Sequence, residues 1–334
     1  MAEPQPRIAV FGAGSWGTAL AVAWARHGAE VALWGRSRDK IEAMAQSRRH
    51  PRLNGAELPP SLRPVWQAEE ALAAPLWISC LPVQASPLVW AELRHHAPVL
   101  PDLLIHSSKG ILEAGHQTLS QSLGPQLGLQ VGVLSGPTFA DEVARGLPSA
   151  IVLALPESLG AERAKALQHT LATERLRVYL SHDVLGAELC GALKNVLAIA
   201  AGLVEGLGLG HNARAAMITR GLAEMARLVA ALGGSPETVM GLAGMGDLML
   251  TATGPQSRNR RLGAELANGV GLERAMASLG GQIAEGVFST EAALALGKSC
   301  GVELPITEAV DRLLKGDSPQ HAVERLMRRS LKSE

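Results

Sequence analysis

At 334 residues the chain is longer than single hydrophobic cores usually grow, which predicts two domains, and 47% hydrophobic against 19% charged residues supplies material for both cores. Thirty-one basic residues balance thirty-one acidic ones, which argues against a general polyanion-binding or membrane-surface protein and leaves any phosphate recognition to local sites. Cys80, Cys190 and Cys300 stand far apart without a CxxC or Cys/His cluster, so neither a disulfide framework nor a metal site is indicated, and MAEPQPRIAV lacks a secretory pattern; the expected home is a reducing cytoplasm.

Residues 7–11, RIAVF, read as a strand that runs into Gly12, Ala13, Gly14, Ser15, Trp16 and Gly17 and then into the helical pattern TALAVAWARHG. This is GxGxxG in its required setting of strand, turn and helix. Gly12 permits the tight turn, Gly14 lets the backbone approach a pyrophosphate, Gly17 allows helix to pack on strand, and the first helical N–H groups are left for phosphates. A glycine-rich turn without a ligand is the plainer reading. Residues 30–34 form the second strand, whose end carries an acidic residue in NAD-selective folds. Here it continues WGRSR, which sets Arg36 and Arg38 where an adenosine 2′-phosphate would lie; NADP is favoured, with dual use of NAD and NADP open.

A helix over 39–47 gives way to RRHPRLNGAELPPSLRP, which reads as a Pro-rich loop without chemistry. Residues 76–81 and 103–107 are buried strands, and Lys109 follows the second of them, where an open parallel sheet places its ligands. After a strand over 130–134, Gly136 and Pro137 turn the chain and Thr138 is placed to cap the next helix. Strands over 149–155 and 176–180 complete an α/β, Rossmann-like, doubly wound sheet.

From Asp183 the strand signal stops, which predicts domains at 1–183 and 184–334, the second all-α. It opens with LGAELCGALKNVLAIAAGL, where Lys194 stands among Ala187, Cys190, Gly191, Ala198 and Ala201. Two readings fit: a helix packed tightly on a neighbour with Lys194 reaching water or Glu188, or a catalytic lysine aimed at a ligand. Glu188, Lys194 and Asn195 argue against a membrane span. A helix from about residue 213 ends at Gly233 and Gly234, and Ser235, Pro236 and Glu237 start another. Asp247 is the only charge between Glu237 and Arg258; from its segment alone a helix cap is preferred over a functional carboxylate. Ser257, Arg258, Asn259, Arg260 and Arg261 begin a helix that stops at Gly269. Cations at the positive end of a helix are unfavourable, which suggests an anion site.

Taken together, GAGSWGTALA, SSKGI, GPTFADEVARGLP, GALKNVLAIAAG, ARAAMITRGLAEM, AGMGDLMLT and QSRNRRLG resemble the bacterial NAD(P)-dependent glycerol-3-phosphate dehydrogenases over nearly the whole chain. The resemblance implies that Gly12, Gly14, Ser15, Trp16, Gly17, Arg36, Lys109 and Ala140 hold the nicotinamide nucleotide, with Arg258, Ile283 and Glu285 contributed by the second domain. It implies substrate contacts at Lys109, Gly136, Thr138, Lys194, Asp247, Ser257, Arg258 and Asn259. Lys194 is the proton-transferring group, with Asp247 and Lys109 beside it. The implied reaction reduces dihydroxyacetone phosphate to glycerol 3-phosphate with NADPH or NADH and feeds phospholipid synthesis.

Expected partners are that small substrate alone, with no nucleic acid, no stable membrane insertion, and a homodimer left open. The chain departs from the family at Asn54 and Gly55, where an aromatic or a Leu-Pro pair is usual, and at Thr138, where Ser is common. Two alternatives stay open: a 3-hydroxy acid or 6-phosphogluconate dehydrogenase relative, from which the anion site at 257–259 is expected to separate this chain because a three-carbon phosphate should compete there and a free hydroxy acid should not, and a nucleotide sensor, which needs none of Lys194, Asp247 and Lys109.

Overall fold

All seven apolar runs form strands: β1 Arg7–Phe11, β2 Glu30–Trp34, β4 Leu76–Ser79, β5 Leu103–His106, β6 Gln130–Ser135, β7 Ser149–Ala154 and β8 Leu176–Ser181. An eighth, β3 Leu62–Val65, lies in the segment read as a loop. Its Pro64 donates no ladder hydrogen bond, which hides the strand in the sequence; as an edge strand paired with β2 alone, β3 tolerates it. The computed structural model describes residues 7–53, 55–280 and 284–328.

The sheet order is β3-β2-β1-β4-β5-β6-β7-β8. Pairing is parallel except between β6 and β7, where Val133 faces Ala154 in antiparallel register, so β7 and β8 run against the other six strands. The sheet is thus mostly rather than wholly parallel. Ile8, Val10, Leu33, Ile78 and Ile105 build its core together with Trp24 from the helix Ser15–Arg26.

The chain divides into two compact units, Met1–Ser108 with Leu119–Val184, and Lys109–Thr118 with Leu185–Glu334. The second unit is helical and takes in the short segment that carries Lys109. Its centre is the helix Val184–Gly206, buried continuously from Gly186 to Val204. Among the described residues this helix alone has the length and apolarity to cross a membrane, and it forms the core of its unit.

The small residues on that helix have a packing role. A Cβ on Gly202 would lie 1.9 Å from the Arg260 carbonyl oxygen, and one on Gly263 would lie 2.0 Å from that of Ile199. The helix Arg258–Ala267 therefore rests backbone against backbone on the Lys194 helix. Glu224, from the helix Gly210–Ala231, accepts the N–H groups of Ile306 and Thr307 at 2.8 and 2.9 Å and so caps the helix Pro305–Leu314.

Candidate functional site

In the first unit each glycine of the fingerprint has its own physical reason. Gly12 sits at φ +118°, and a Cβ there would approach the Cys80 carbonyl oxygen to 2.7 Å. A Cβ on Gly17 would come within 2.1 Å of the Gly12 oxygen, so only glycine lets the helix start this close to the turn. A Cβ on Gly14 would meet nothing within 4 Å beyond its own chain neighbours. That open space adjoins the first turn of the helix Ser15–Arg26, where the N–H groups of Ser15, Trp16 and Gly17 precede the first intrahelical donor, Thr18, which bonds the Gly14 carbonyl. The turn therefore fits a dinucleotide's pyrophosphate, with room at Gly14 and donors beside it. Trp16 and Ala140 pack against one apolar cluster built from Ala19, Val143 and Ala144.

Arg36 follows the end of β2 and is exposed. Arg38 is engaged: its Nε donates to Glu42 at 2.7 Å, and its guanidinium stands 5.0 Å from the Trp66 ring centre. Gly136 adopts φ +150° after β6. Thr138 does not cap the following helix as expected. That helix starts later, at Ala140 with Phe139 in the capping position, and the Thr138 hydroxyl donates instead to the Gly136 carbonyl at 3.5 Å.

In the second unit Lys109, Lys194 and Asp247 converge. Lys194 Nζ donates to Asp247 Oδ1 at 2.9 Å, and Lys109 Nζ to Oδ2 at 2.6 Å. Both Lys194 and Asp247 are buried. Lys194 also donates to Thr251 Oγ1 at 2.8 Å, whose own proton goes to the Asp247 carbonyl at 2.7 Å. Asp247 is thus a paired internal carboxylate rather than a cap. The π-helical turn Leu242–Gly246 leads into its helix, with Gly246 N–H bonded to the Gly241 carbonyl, so the backbone there is already helical and presents no open end to cap.

Burial pushes the Lys194 ammonium down to about 8; the Asp247 charge resists that shift and the Lys109 charge adds to it. Burial also works against ionised Asp247, but the two ammonium groups outweigh it and hold the carboxyl below its ordinary value. One buried carboxylate thus meets two ammonium groups.

A ladder of amides ties this cluster to the expected phosphate site. Asn195 Nδ2 donates to the Lys109 carbonyl at 3.2 Å, Asn259 Nδ2 donates to Asn195 Oδ1 at 2.9 Å, and Asn259 Oδ1 accepts the Gly286 N–H at 3.1 Å. Ser257 caps its helix by accepting the Arg260 N–H at 3.2 Å. Arg260 turns away, pairing with Glu205 and donating to the Gly254 carbonyl at 3.1 Å. Arg258 is exposed, and its charge acts on both Lys194 and Glu285. Burial pushes Glu285 up to about 7 against that charge. Ile283 lies outside the described residues. Sequence reasoning overlooked Thr251 and Asn195, although Thr251 lies one helical turn after Asp247 and Asn195 adjoins Lys194.

Comparison with known proteins agrees with this geometry. Residues 7–160 match the family model for the N-terminus of NAD-dependent glycerol-3-phosphate dehydrogenase, and residues 183–324 match that for its C-terminus. The chain is 47% identical over 337 residues to a protein of Thioalkalivibrio sulfidiphilus named glycerol-3-phosphate dehydrogenase, NAD(P)+, covering 99% of each chain. It is also 47% identical over 338 residues to the protein of that name from Aromatoleum aromaticum, covering 98% and 100%. The crystal structure of glycerol-3-phosphate dehydrogenase from Coxiella burnetii superposes with a TM-score of 0.91 at 40% identity, covering 97% of this chain and 99% of that one.

Proposed function

The chain belongs to the NAD-dependent glycerol-3-phosphate dehydrogenase family, and from that premise we propose how its residues divide the work of the reaction. The enzyme reduces dihydroxyacetone phosphate to glycerol 3-phosphate by reversible hydride transfer at C2, with NADH or NADPH as donor. The observation that carries the assignment of roles is the pair of ammonium groups on one buried carboxylate. Two ammonium groups held beside one carboxylate are placed to stabilise an oxygen at C2 that gains negative charge.

When bound, the nicotinamide supplies the hydride. Gly12, Gly14 and Gly17, with the N–H groups of Ser15 and Trp16, hold the nucleotide's pyrophosphate, and the first unit is the nucleotide-binding domain. The second unit binds the ketone phosphate. Lys194 donates a proton to the oxygen at C2 during reduction and, when neutral, takes it back during oxidation. A pKa of about 8 leaves it mostly protonated at neutral pH yet able to lose its proton. Asp247 holds Lys194 in place. Lys109 keeps that carboxylate ionised and adds positive charge at the reacting oxygen.

Arg258 anchors the phosphate, aided by the proton of Ser257 and the remaining N–H of Asn259. Fixing the unreactive end positions C2. Arg36 reads a 2′-phosphate, which favours NADPH over NADH. The reading extends to a cytoplasmic homodimer whose product enters glycerophospholipid synthesis; sedimentation of the purified chain tests the dimer. The reaction is tested by the loss of reduced-nicotinamide absorbance on adding dihydroxyacetone phosphate, with NADPH and NADH run side by side. Nucleotide binding without turnover on either would overturn the assignment.

A further inference from the structure

Glu205 and Arg260 each stand at the unfavourable end of a helix. Glu205 is in the last turn of the helix Val184–Gly206, where the dipole disfavours an anion, and Arg260 is in the first turn of the helix Arg258–Ala267, where it disfavours a cation. Across 55 residues of sequence the two pair with each other. The Arg260 guanidinium also donates through Nε to the Gly254 carbonyl at 3.1 Å, and the Ser257 N–H reaches the same oxygen at 3.3 Å. Gly254 follows the helix Asp247–Thr253 as its cap, so these donors serve a carbonyl that a helix end leaves without an internal partner.

One side chain, 14% exposed, thus joins three helices. The first carries Lys194, the second Asp247 and Thr251, and the third opens with Arg258 and Asn259 after its cap Ser257. Backbone contact at Gly202 sets how closely the third helix approaches the first. Within its first turn Asn259 is tied to Asn195, and Arg260 supplies a second tie one residue on. Arg258 directly precedes both.

We propose that Arg260, braced by Glu205, is a positioning residue for the substrate phosphate: it fixes the helix start that carries Arg258 and Asn259 relative to Lys194. The brace acts through the backbone and touches neither the phosphate nor the reacting carbon. A helix start free to shift would spread the positions of Arg258, and the cost of ordering it would fall on binding of the ketone phosphate. The inference rests on Arg258 and Asn259 being the phosphate site.

The test compares Arg260→Met, Glu205→Gln, the double variant and Arg258→Ala in the full chain, by steady-state kinetics and by NADPH fluorescence titration. Arg260→Met is expected to raise the KM for dihydroxyacetone phosphate about tenfold, the effect of losing one charge-assisted hydrogen bond. Glu205→Gln raises it about threefold, as loss of a partly exposed ion pair does. The double variant is no worse than Arg260→Met, because both substitutions open the same brace. The kcat at saturating ketone, the Kd for NADPH and the slow reduction of dihydroxyacetone, which lacks the phosphate, follow the parent.

The proposal is overturned if Glu205→Gln leaves the ketone KM unchanged or lowers it, the result expected of a guanidinium that Glu205 withholds from the phosphate. It is equally overturned if the double variant shows the product of the two single effects, or if kcat and NADPH binding decline in step with the KM. Should Arg260→Met fail to fold, Glu205→Gln, whose side chain is 41% exposed, decides by the same criterion. Arg258→Ala tests the underlying reading separately: an unchanged ketone KM there would remove the phosphate site itself. A raised KM there, with parental values in Glu205→Gln and Arg260→Met, would leave the site in place and reject the brace alone.

Discussion

Lys194 Nζ lies 2.9 Å from Asp247 Oδ1 across 53 residues of sequence, with the carboxylate only 1% exposed. Lys109 occupies the other oxygen, so Asp247 stays paired if Lys194 is removed. Lys194→Met keeps the length of the stem and deletes the ammonium. We expect turnover to fall by about 10² to 10⁴, the usual contribution of a positioned proton donor. NADPH affinity, measured by fluorescence, stays near that of the parent. A parallel loss of nucleotide affinity would make the lysine a structural residue.

The direction of the pH dependence follows from the same pair. With Lys194 at a pKa of about 8 and acting as the acid in ketone reduction, as proposed, reduction is expected to fall as pH rises through that value while alcohol oxidation rises. Asp247 raises the pKa of Lys194. Asp247→Asn removes that charge and is expected to move the limb to lower pH in both directions of reaction. A limb that stays in place in this variant would show that another group is titrating.

Arg36 and Arg38 look equivalent in the sequence, but Arg38 is bound to Glu42 and stands over Trp66. A guanidinium with both its charge and its face engaged gains less from a new anion. We expect Arg36→Ala to raise the KM for NADPH about tenfold or more, as loss of a charge-assisted contact does, and to leave that for NADH unchanged. Arg38→Ala acts weakly on both. Equal losses for the two nucleotides in Arg36→Ala would assign it to the shared part of the molecule.

The strands were legible because each is a buried apolar run bounded by turn residues, as in Arg7–Phe11 before Gly12. β3 was not legible, since a proline in a short edge strand carries the signal of a loop. The reversed direction of β7 was equally hidden, because buried strands of either direction share one apolar pattern. Lys194 was visible as a cation in an apolar helix. The role of Asp247 was not, because a carboxylate near a helix start reads the same whether it caps or faces inward, and a π turn decided the matter. The small residues around Lys194 admitted two readings; the helix does pack closely on the Arg258 helix at Gly202, and its lysine is paired with Asp247.

A variant at Arg258 is expected to separate phosphate binding from nucleotide binding. Asn259 has its Oδ1 and one N–H committed to Gly286 and Asn195, and Ser257 spends its oxygen on the Arg260 N–H. Arg260 itself is held by Glu205. The charge at this helix start that reaches toward Lys194 and Glu285 is that of Arg258. Arg258→Ala should therefore raise the KM for dihydroxyacetone phosphate by about 10- to 100-fold, the span of one charge-assisted contact, and weaken NADPH binding far less. Dihydroxyacetone, which lacks the phosphate, provides the control: parent and variant should reduce it equally slowly. A variant impaired on the unphosphorylated ketone to the same degree would place Arg258 at the reacting carbon instead of at the phosphate.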